Sequence, residues 1–353
     1  MRARGLEGQR AGETSTGNPP AHQPTRPPAL LKVDRVTKSF RQGREIIHSL
    51  RGVSFELERG ETLGLVGESG SGKTTLARCI VRLQQVTSGR IEFDGHDITA
   101  LTPDAMRPLR RGMQMVFQDP YASLNPRRRV RSIIGDPLEI HGVAGAGAFT
   151  GRVHELMTTV GLDPKDAEKY PSAFSGGQRQ RIGIARAIAL NPSLIVCDEA
   201  VSALDVSVRA QILDLLVRLQ RERHLAYLFI SHDLLVVRDI STRVAVMYCG
   251  RVMEIAPSAA LYSAPRHPYT ATLLRAIPDA SPSAAPPVPV AGDPPSPLSP
   301  PGGCPFHPRC PTAQAVCAAE TPPLVPRFAD DASHVAACHF PLADGERLPS
   351  PAE

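Results

Sequence analysis

The stretch GESGSGKTT (Gly67–Thr75) constrains this chain more than any other. It fits G-x-x-x-x-G-K-[ST] through Gly67, Gly72, Lys73 and Thr74. It follows the apolar run TLGLV (Thr62–Val66) and opens a helical pattern over Lys73–Leu83. Glycines let consecutive backbone N–H groups curl around an anion, and the helix behind them points the positive end of its dipole at it. Gly67, Glu68, Ser69, Gly70, Ser71, Gly72, Lys73, Thr74 and Thr75 are therefore the predicted cradle for a nucleoside triphosphate. Lys73 would neutralise the β- and γ-phosphates, and the Thr74 hydroxyl would ligate Mg²⁺. A plain Gly-Ser turn before an ordinary helix does not explain strand, loop and helix all in register.

Other apolar runs recur: LLKVDRV (Leu30–Val36), MQMVF (Met113–Phe117), SLIVC (Ser193–Cys197), LAYLFI (Leu225–Ile230) and RVAVMY (Arg243–Tyr248). Several lack polar alternation, which predicts strands buried on both faces. Helical patterns lie between them at Gly151–Val160, Gln178–Leu190 and Val206–Gln220. The alternation predicts an α/β fold with a mainly parallel sheet. Together with the phosphate-loop motif it reads as a P-loop NTPase core over residues 30–260. The stretch from Gln118 to about Ala173 interrupts the alternation and predicts an inserted helical subdomain, about 119–180. Residues 1–29 are polar and rich in Gly and Pro, a composition that predicts disorder. Residues 261–353 form a C-terminal extension, with a Pro-rich linker over 279–303 and a four-cysteine module over 304–340.

The 40 Lys and Arg against 35 Asp and Glu leave a net charge of +5, too mild to argue for nucleic-acid binding. No apolar run approaches membrane-spanning length, and the N-terminus lacks the apolar core of a signal peptide. A cytosolic chain is predicted, with any membrane association made through a partner.

SLIVCDEA ends an apolar run in Asp198 and Glu199. Ligands in such sheets sit at the carboxyl ends of strands, so Asp198 would hold Mg²⁺ through water and Glu199 would polarise an attacking water. Taken alone, the pair also suits a helix cap. Gln118 and His232 end two further runs and by themselves read equally well as exposed strand-end residues. Ser231, His232 and Asp233 do not make a nucleophilic triad, because neighbours in extended chain point to opposite sides. In FSGGQRQR (Phe174–Arg181), Ser175 and Gln178 predict a capping box. The same free N–H groups and serine hydroxyl also make a phosphate site, and residue types alone leave both uses open.

Seven cysteines are unevenly placed. Cys79, Cys197 and Cys249 sit among apolar neighbours and read as small buried hydrophobes. Cys304, Cys310, Cys317 and Cys338 are spaced C-x5-C-x6-C-x20-C. In a cytosolic protein such a cluster points to metal, either a [4Fe–4S] cluster or Zn²⁺, with His307, His334 and His339 as substitute zinc ligands.

Together these residues resemble the ATP-binding subunit of an ABC transporter. The order matches: phosphate loop Gly67–Thr75, Q-loop Gln118, signature FSGGQ at Phe174–Gln178, LIVCDE at Leu194–Glu199, D-loop SALD at Ser202–Asp205 and switch histidine His232. The resemblance covers most of Leu30–Pro278. It implies ATP and Mg²⁺, with Thr74, Gln118 and Asp198 around the metal, catalysis by Glu199, His232 and Gln118, and Phe40 stacked on adenine. It also implies that Ser175, Gly176, Gly177 and Gln178 close over ATP held by a second ATPase subunit.

VFQDPYASLNPRRRV, DEAVSALDVSVRAQILDLL and RHPYTATLLRAIP resemble the oligopeptide/dipeptide importer branch. That resemblance implies a heterodimeric partner ATPase, two transmembrane permease subunits, an extracytoplasmic solute-binding protein and a place on the cytoplasmic face of the membrane. The cysteine tail resembles one found in that branch, for which an iron–sulfur cluster has been inferred. A soluble ABC ATPase of translation or DNA repair is the competing expectation. Such chains carry two cassettes or a long coiled-coil insertion, and neither is present here.

Overall fold

Apolar runs without polar alternation need cover on both faces, and the fold supplies it with layers on either side of a central sheet. The computed structural model describes residues 28–143, 145–277, 290, 292–328, 332–346 and 348. The expected disordered segment 1–29 lies outside these apart from its last two residues, as do residues 279–289 and 291 of the expected linker.

In chain order the strands are β1 (Leu31–Gln42), β2 (Glu45–Leu57), β3 (Thr62–Val66), β4 (Ser88–Phe93), β5 (His96–Asp97), β6 (Met113–Val116), β7 (Leu194–Asp198), β8 (Ala226–Ile230), β9 (Arg243–Tyr248), β10 (Arg251–Pro257), β11 (Val325–Pro326) and β12 (Val335–Ala336). The helices are α1 (Lys73–Ile80), α2 (Pro103–Leu109), α3 (Pro120–Ser123), α4 (Val130–Ile140), α5 (Ala146–Thr159), α6 (Gly176–Ile188), α7 (Val206–Arg223), α8 (Leu234–Ile240), α9 (Ser258–Ser263), α10 (Pro268–Arg275) and α11 (Ala315–Ala319).

The larger sheet has eight strands in the order β11-β12-β10-β9-β3-β8-β7-β6. From β9 to β6 the pairing is parallel, as the sequence predicts. Its side chains divide by parity. Ile195, Cys197, Tyr227, Phe229, Val244 and Val246 pack with the helical layer that includes α4 to α8. Leu194, Val196, Ala226, Leu228, Ile230 and Ala245 pack with α1 and a second sheet. That second sheet is antiparallel, ordered β2-β1-β4-β5, and the sequence reading found only the start of its first strand. The reason is burial: much of β1 and β2 is half-exposed and carries polar residues, so neither shows a continuous apolar run.

The chain after α10 returns to the same sheet. β12 pairs with β10 and β11 with β12, both antiparallel. Glu254 on β10, fully buried, anchors this edge. Its carboxylate accepts from Arg266 N at 2.6 Å and His267 N at 3.0 Å, and His334 Nε2 lies 2.6 Å away. A buried carboxylate held by that many donors is a strong registry device, because any slip would leave the charge unpaired. Of the scattered cysteines, Cys79 and Cys197 are fully buried as expected, whereas Cys249 is only partly so.

Candidate functional site

Parallel order brings distant carboxyl ends of strands to one edge. The phosphate loop follows β3, Asp198 and Glu199 end β7, His232 follows β8 and Gln118 follows β6. Because β3, β8, β7 and β6 are consecutive neighbours, all four segments meet there.

The loop itself is built by backbone geometry. Gly67 has φ 148°, and a Cβ on it would lie 2.1 Å from the Met247 carbonyl oxygen, so the turn admits glycine alone. Lys73, 6 % exposed, opens α1 and folds its Nζ back onto Gly67 O (2.7 Å), Glu68 O (3.0 Å) and Ser71 Oγ (3.3 Å). Ser69 and Gly70 are exposed at the tip, and Thr75 Oγ1 accepts from Ser49 Oγ at 2.8 Å. Burial lowers the Lys73 pKa, opposed by the carboxylates of Glu199, Asp198 and Glu68. An ammonium in that position gains from a polyanion that restores its neutralisation.

Thr74 Oγ1 donates to Asp198 Oδ1 at 3.1 Å. Burial raises the Asp198 pKa, while the Thr74 hydrogen bond works in the opposite direction. A hydroxyl and a carboxylate side by side next to a phosphate loop are the hard oxygen donors that Mg²⁺ takes, so these residues fit the ion. Glu199 leaves β7 with φ 48° and donates its N–H to Ile230 O at 2.9 Å, which turns its side chain out of the strand. Its Oε2 accepts from Gln118 Nε2 at 2.9 Å and lies 3.4 Å from His232 Nδ1. The two strand-end residues that sequence left ambiguous therefore converge on one carboxylate oxygen. In this site Gln118 is held by its hydrogen bond to Glu199.

Asp233 belongs to no triad. It caps α8 by accepting from Leu235 N and Val236 N, and it pairs with Arg209 at 2.9 Å. Arg209 also donates to Leu204 O at 3.2 Å, tying the 202–205 turn to the segment bearing His232. Sequence reasoning missed Arg209; as one more basic residue on a helix it carries no local signal.

The capping box forms as expected: Ser175 Oγ accepts from Gln178 N, and Gln178 Oε1 accepts from Ser175 N. Gly177 lets α6 approach α7, since a Cβ there would lie 2.3 Å from Val208 Cγ1. Gly176 faces Leu204, so the 174–178 stretch abuts the turn ending in Asp205. Asp205 caps α7 through Val208 N, and that bond with the Ser207 hydroxyl lowers its pKa. Phe40 near the end of β1 is partly exposed, with Lys38 Nζ 4.9 Å from its ring centre, so it is no core residue.

The four tail cysteines line one small cavity of about 10 Å³ together with His307 and His339. Burial pushes the Cys304 thiol up to about 11 and Cys338 up to about 12, so as folded they pack as neutral thiols. No group of three or more His, Cys, Asp or Glu among the described residues is arranged to hold a metal ion. The expected metal or cluster thus has convergent thiols but no preformed cage. Two of the substitute zinc ligands are also engaged elsewhere: His334 with Glu254, and His339 Nε2 with Glu320 O at 3.0 Å. His307 bonds the Cys304 carbonyl through Nδ1.

Among the described residues no helix is long and apolar enough to cross a membrane. Residues 50–202 match the ABC transporter family, and residues 253–317 match the oligopeptide/dipeptide transporter C-terminal region. The probable peptide ABC transporter ATP-binding protein y4tS of Sinorhizobium fredii is 51 % identical over 332 residues, 91 % of this chain and 93 % of that relative. The oligopeptide transport ATP-binding protein AppF of Bacillus subtilis is 50 % identical over 299 residues, covering 83 % and 90 %. Among solved structures, the ATP-binding cassette MJ0796, captured as a dimer in a post-hydrolysis state with ADP and phosphate, aligns with a TM-score of 0.60 at 31 % identity, covering 65 % of this chain and 99 % of that one. The chain belongs to the family of ABC transporter ATP-binding proteins that carry the oligopeptide/dipeptide transporter C-terminal region.

Proposed function

We propose that this chain is the ATP-hydrolysing subunit of an ABC importer that takes up di- or oligopeptides or a related small solute. The observation that carries the catalytic part is the meeting of Gln118 Nε2 and His232 Nδ1 at Glu199 Oε2, on the sheet edge that bears the phosphate loop. In this reading the loop N–H groups and Lys73 hold the phosphates, and Phe40 stacks on the base. Thr74, Asp198 through water and Gln118 would hold Mg²⁺, which would supply charge neutralisation for the phosphates. Glu199 accepts a proton from the water that attacks the γ-phosphorus; the bond to the β–γ bridging oxygen breaks, and ADP leaves with that electron pair. Gln118 and His232 orient the carboxylate.

Ser175, Gly176, Gly177 and Gln178 serve the nucleotide of a second ATPase subunit, so that ATP joins two surfaces that separate after hydrolysis. The dimeric state of the MJ0796 cassette supports that arrangement. Two transmembrane permeases dock beside Gln118–Arg129, where Phe117 and Tyr121 are 36 % and 64 % exposed. The peptide class rests on the names of the relatives and on the matched C-terminal region.

The test is to tag the full chain in its host, solubilise membranes gently, reconstitute what co-purifies and follow labelled peptides. Two multi-span proteins, a second cassette and ATP-dependent peptide accumulation are expected. Recovery only in the soluble fraction with ribosomes or DNA would sink the importer and favour the translation or repair ATPase.

For the tail, we infer that Cys304, Cys310, Cys317 and Cys338 can take up a [4Fe–4S] cluster, with Zn²⁺ as the alternative. The convergence of all four thiols on one spot supports this; metal binding would displace the thiol protons and require the small space between them to open. Anaerobically purified full chain should carry iron and acid-labile sulfide in equal amounts. Zinc without sulfide would select the alternative, and neither would leave the thiols purely structural.

A further inference from the structure

The phosphate loop is gripped by the far end of the chain. Arg309 lies 241 residues beyond Glu68, within the segment matched to the transporter C-terminal region. Its guanidinium donates to both carboxylate oxygens of Glu68, Nη1 to Oε2 at 2.8 Å and Nη2 to Oε1 at 3.1 Å. Nη1 also donates to Tyr248 OH at 3.0 Å. This is no loose surface pair: the Arg309 side chain is 6 % exposed and that of Glu68 20 %.

Three residues before Arg309, Phe306 is fully buried, edge-on to Tyr248 at 5.5 Å and 5.1 Å from Tyr269. Tyr269 OH in turn accepts from Glu68 N at 3.0 Å, and Lys73 Nζ donates to Glu68 O at 3.0 Å. The side chain, amide and carbonyl of Glu68 are thus held by three separate elements. On the linker side, Pro294–Pro297 border a cavity shared with Glu68–Ser71.

We propose that Arg309 is a positioning residue for MgATP: acting through Glu68, the C-terminal extension holds the phosphate loop in its ligand-ready curve. The proposal rests on Gly67–Thr75 being the ATP loop. Two physical effects act in the same direction. A bidentate arginine–carboxylate pair fixes orientation as well as distance, so the loop N–H groups lose less freedom when phosphate arrives. The guanidinium also neutralises a carboxylate that would otherwise stand bare in the loop that receives a polyanion. A lysine could supply the second effect, but as a point charge it supplies the first only in part.

The full chain, in the complex that co-purifies with it, is assayed for steady-state ATPase. Arg309→Gln should raise the KM for MgATP about ten-fold while kcat stays within about two-fold, the pattern of lost ground-state binding. Arg309→Lys should recover part of the loss. In the double variant Glu68→Gln/Arg309→Gln, the two losses should not multiply, since both remove one interaction. A folded Arg309→Gln protein with unchanged KM would overturn the proposal, as would losses that multiply in the double variant. If Arg309→Gln does not fold, Glu68→Gln breaks the same pair from the loop side and should raise KM in the same direction but by less, because it also removes the carboxylate that would repel phosphate; an unchanged KM there overturns the orienting role. A wild-type complex that neither binds nor hydrolyses MgATP would instead discard the ATP-loop reading on which the proposal stands.

Discussion

Replacing Glu199 by glutamine is expected to lower the ATPase rate about 10²–10⁴-fold while leaving MgATP binding close to normal. The substitution keeps shape and hydrogen-bonding capacity but removes the basic oxygen. Glu199 Oε2 is the atom that Gln118 Nε2 reaches at 2.9 Å and that lies 3.4 Å from His232 Nδ1. Two orienting groups on one oxygen suit a proton acceptor held ready for its water. An amide there cannot accept the proton, so nucleotide should enter and stay unhydrolysed. The assay pairs phosphate release with retained nucleotide after gel filtration. If Glu199→Gln keeps more than about a tenth of the wild-type rate, proton removal lies elsewhere and the Glu199 assignment falls.

Lys73→Ala is expected to act on the other quantity, weakening MgATP affinity by about 100-fold or more, in line with removing one member of a buried charge pair. The physical basis is the cost of its present environment. Lys73 is 6 % exposed, its pKa is lowered by burial, and its three protons are shared among Gly67 O, Glu68 O and Ser71 Oγ. Its direct hydrogen-bond partners are neutral and the nearby carboxylates of Glu199, Asp198 and Glu68 offset its charge only against the cost of burial, whereas phosphate oxygens supply both hydrogen bonds and charge. Lys73→Arg should not rescue, because a planar fork cannot reach the same three acceptors on the inside of the turn. Equilibrium titration with a non-hydrolysable ATP analogue separates this loss from catalysis. Wild-type affinity in Lys73→Ala would show that the phosphates bind elsewhere. The effect is expected to be larger than that at Arg309, since Lys73 would meet the phosphates directly whereas Arg309 would act through Glu68.

Legibility in sequence mostly followed burial; the exception is β10, buried along most of its length but interrupted by Glu254, which hides it from an apolar-run reading. β3, β7, β8 and β9 are seen within a residue of where the apolar runs place them, because strands covered on both faces carry unbroken apolar residues. β2, β4 and β5 have many exposed positions and went unread. The helix sought at Gly151–Val160 begins earlier, at Ala146, because Gly147 and Gly151 weaken its pattern without stopping it. β11 and β12 are two residues each, too short for any periodicity, and exist because β10 offers an edge.

The phosphate loop, the capping box at Ser175 and the acidic pair after β7 were determined by the sequence alone. Backbone curl, helix dipole and cap are properties of contiguous residues, so their chemistry is written in a short window. The meeting of Gln118, Glu199 and His232, and the grip of Arg309 on Glu68, were decided only by the tertiary structure. Gln118 and Glu199 are 81 residues apart, and no local pattern links them. The parallel order of β6, β7 and β8 brings their carboxyl ends together, and the buried aromatic contacts of Phe306 bring Arg309 to the loop. Contacts of that kind are set by which surfaces must be buried against each other, which a sequence states only through the whole fold.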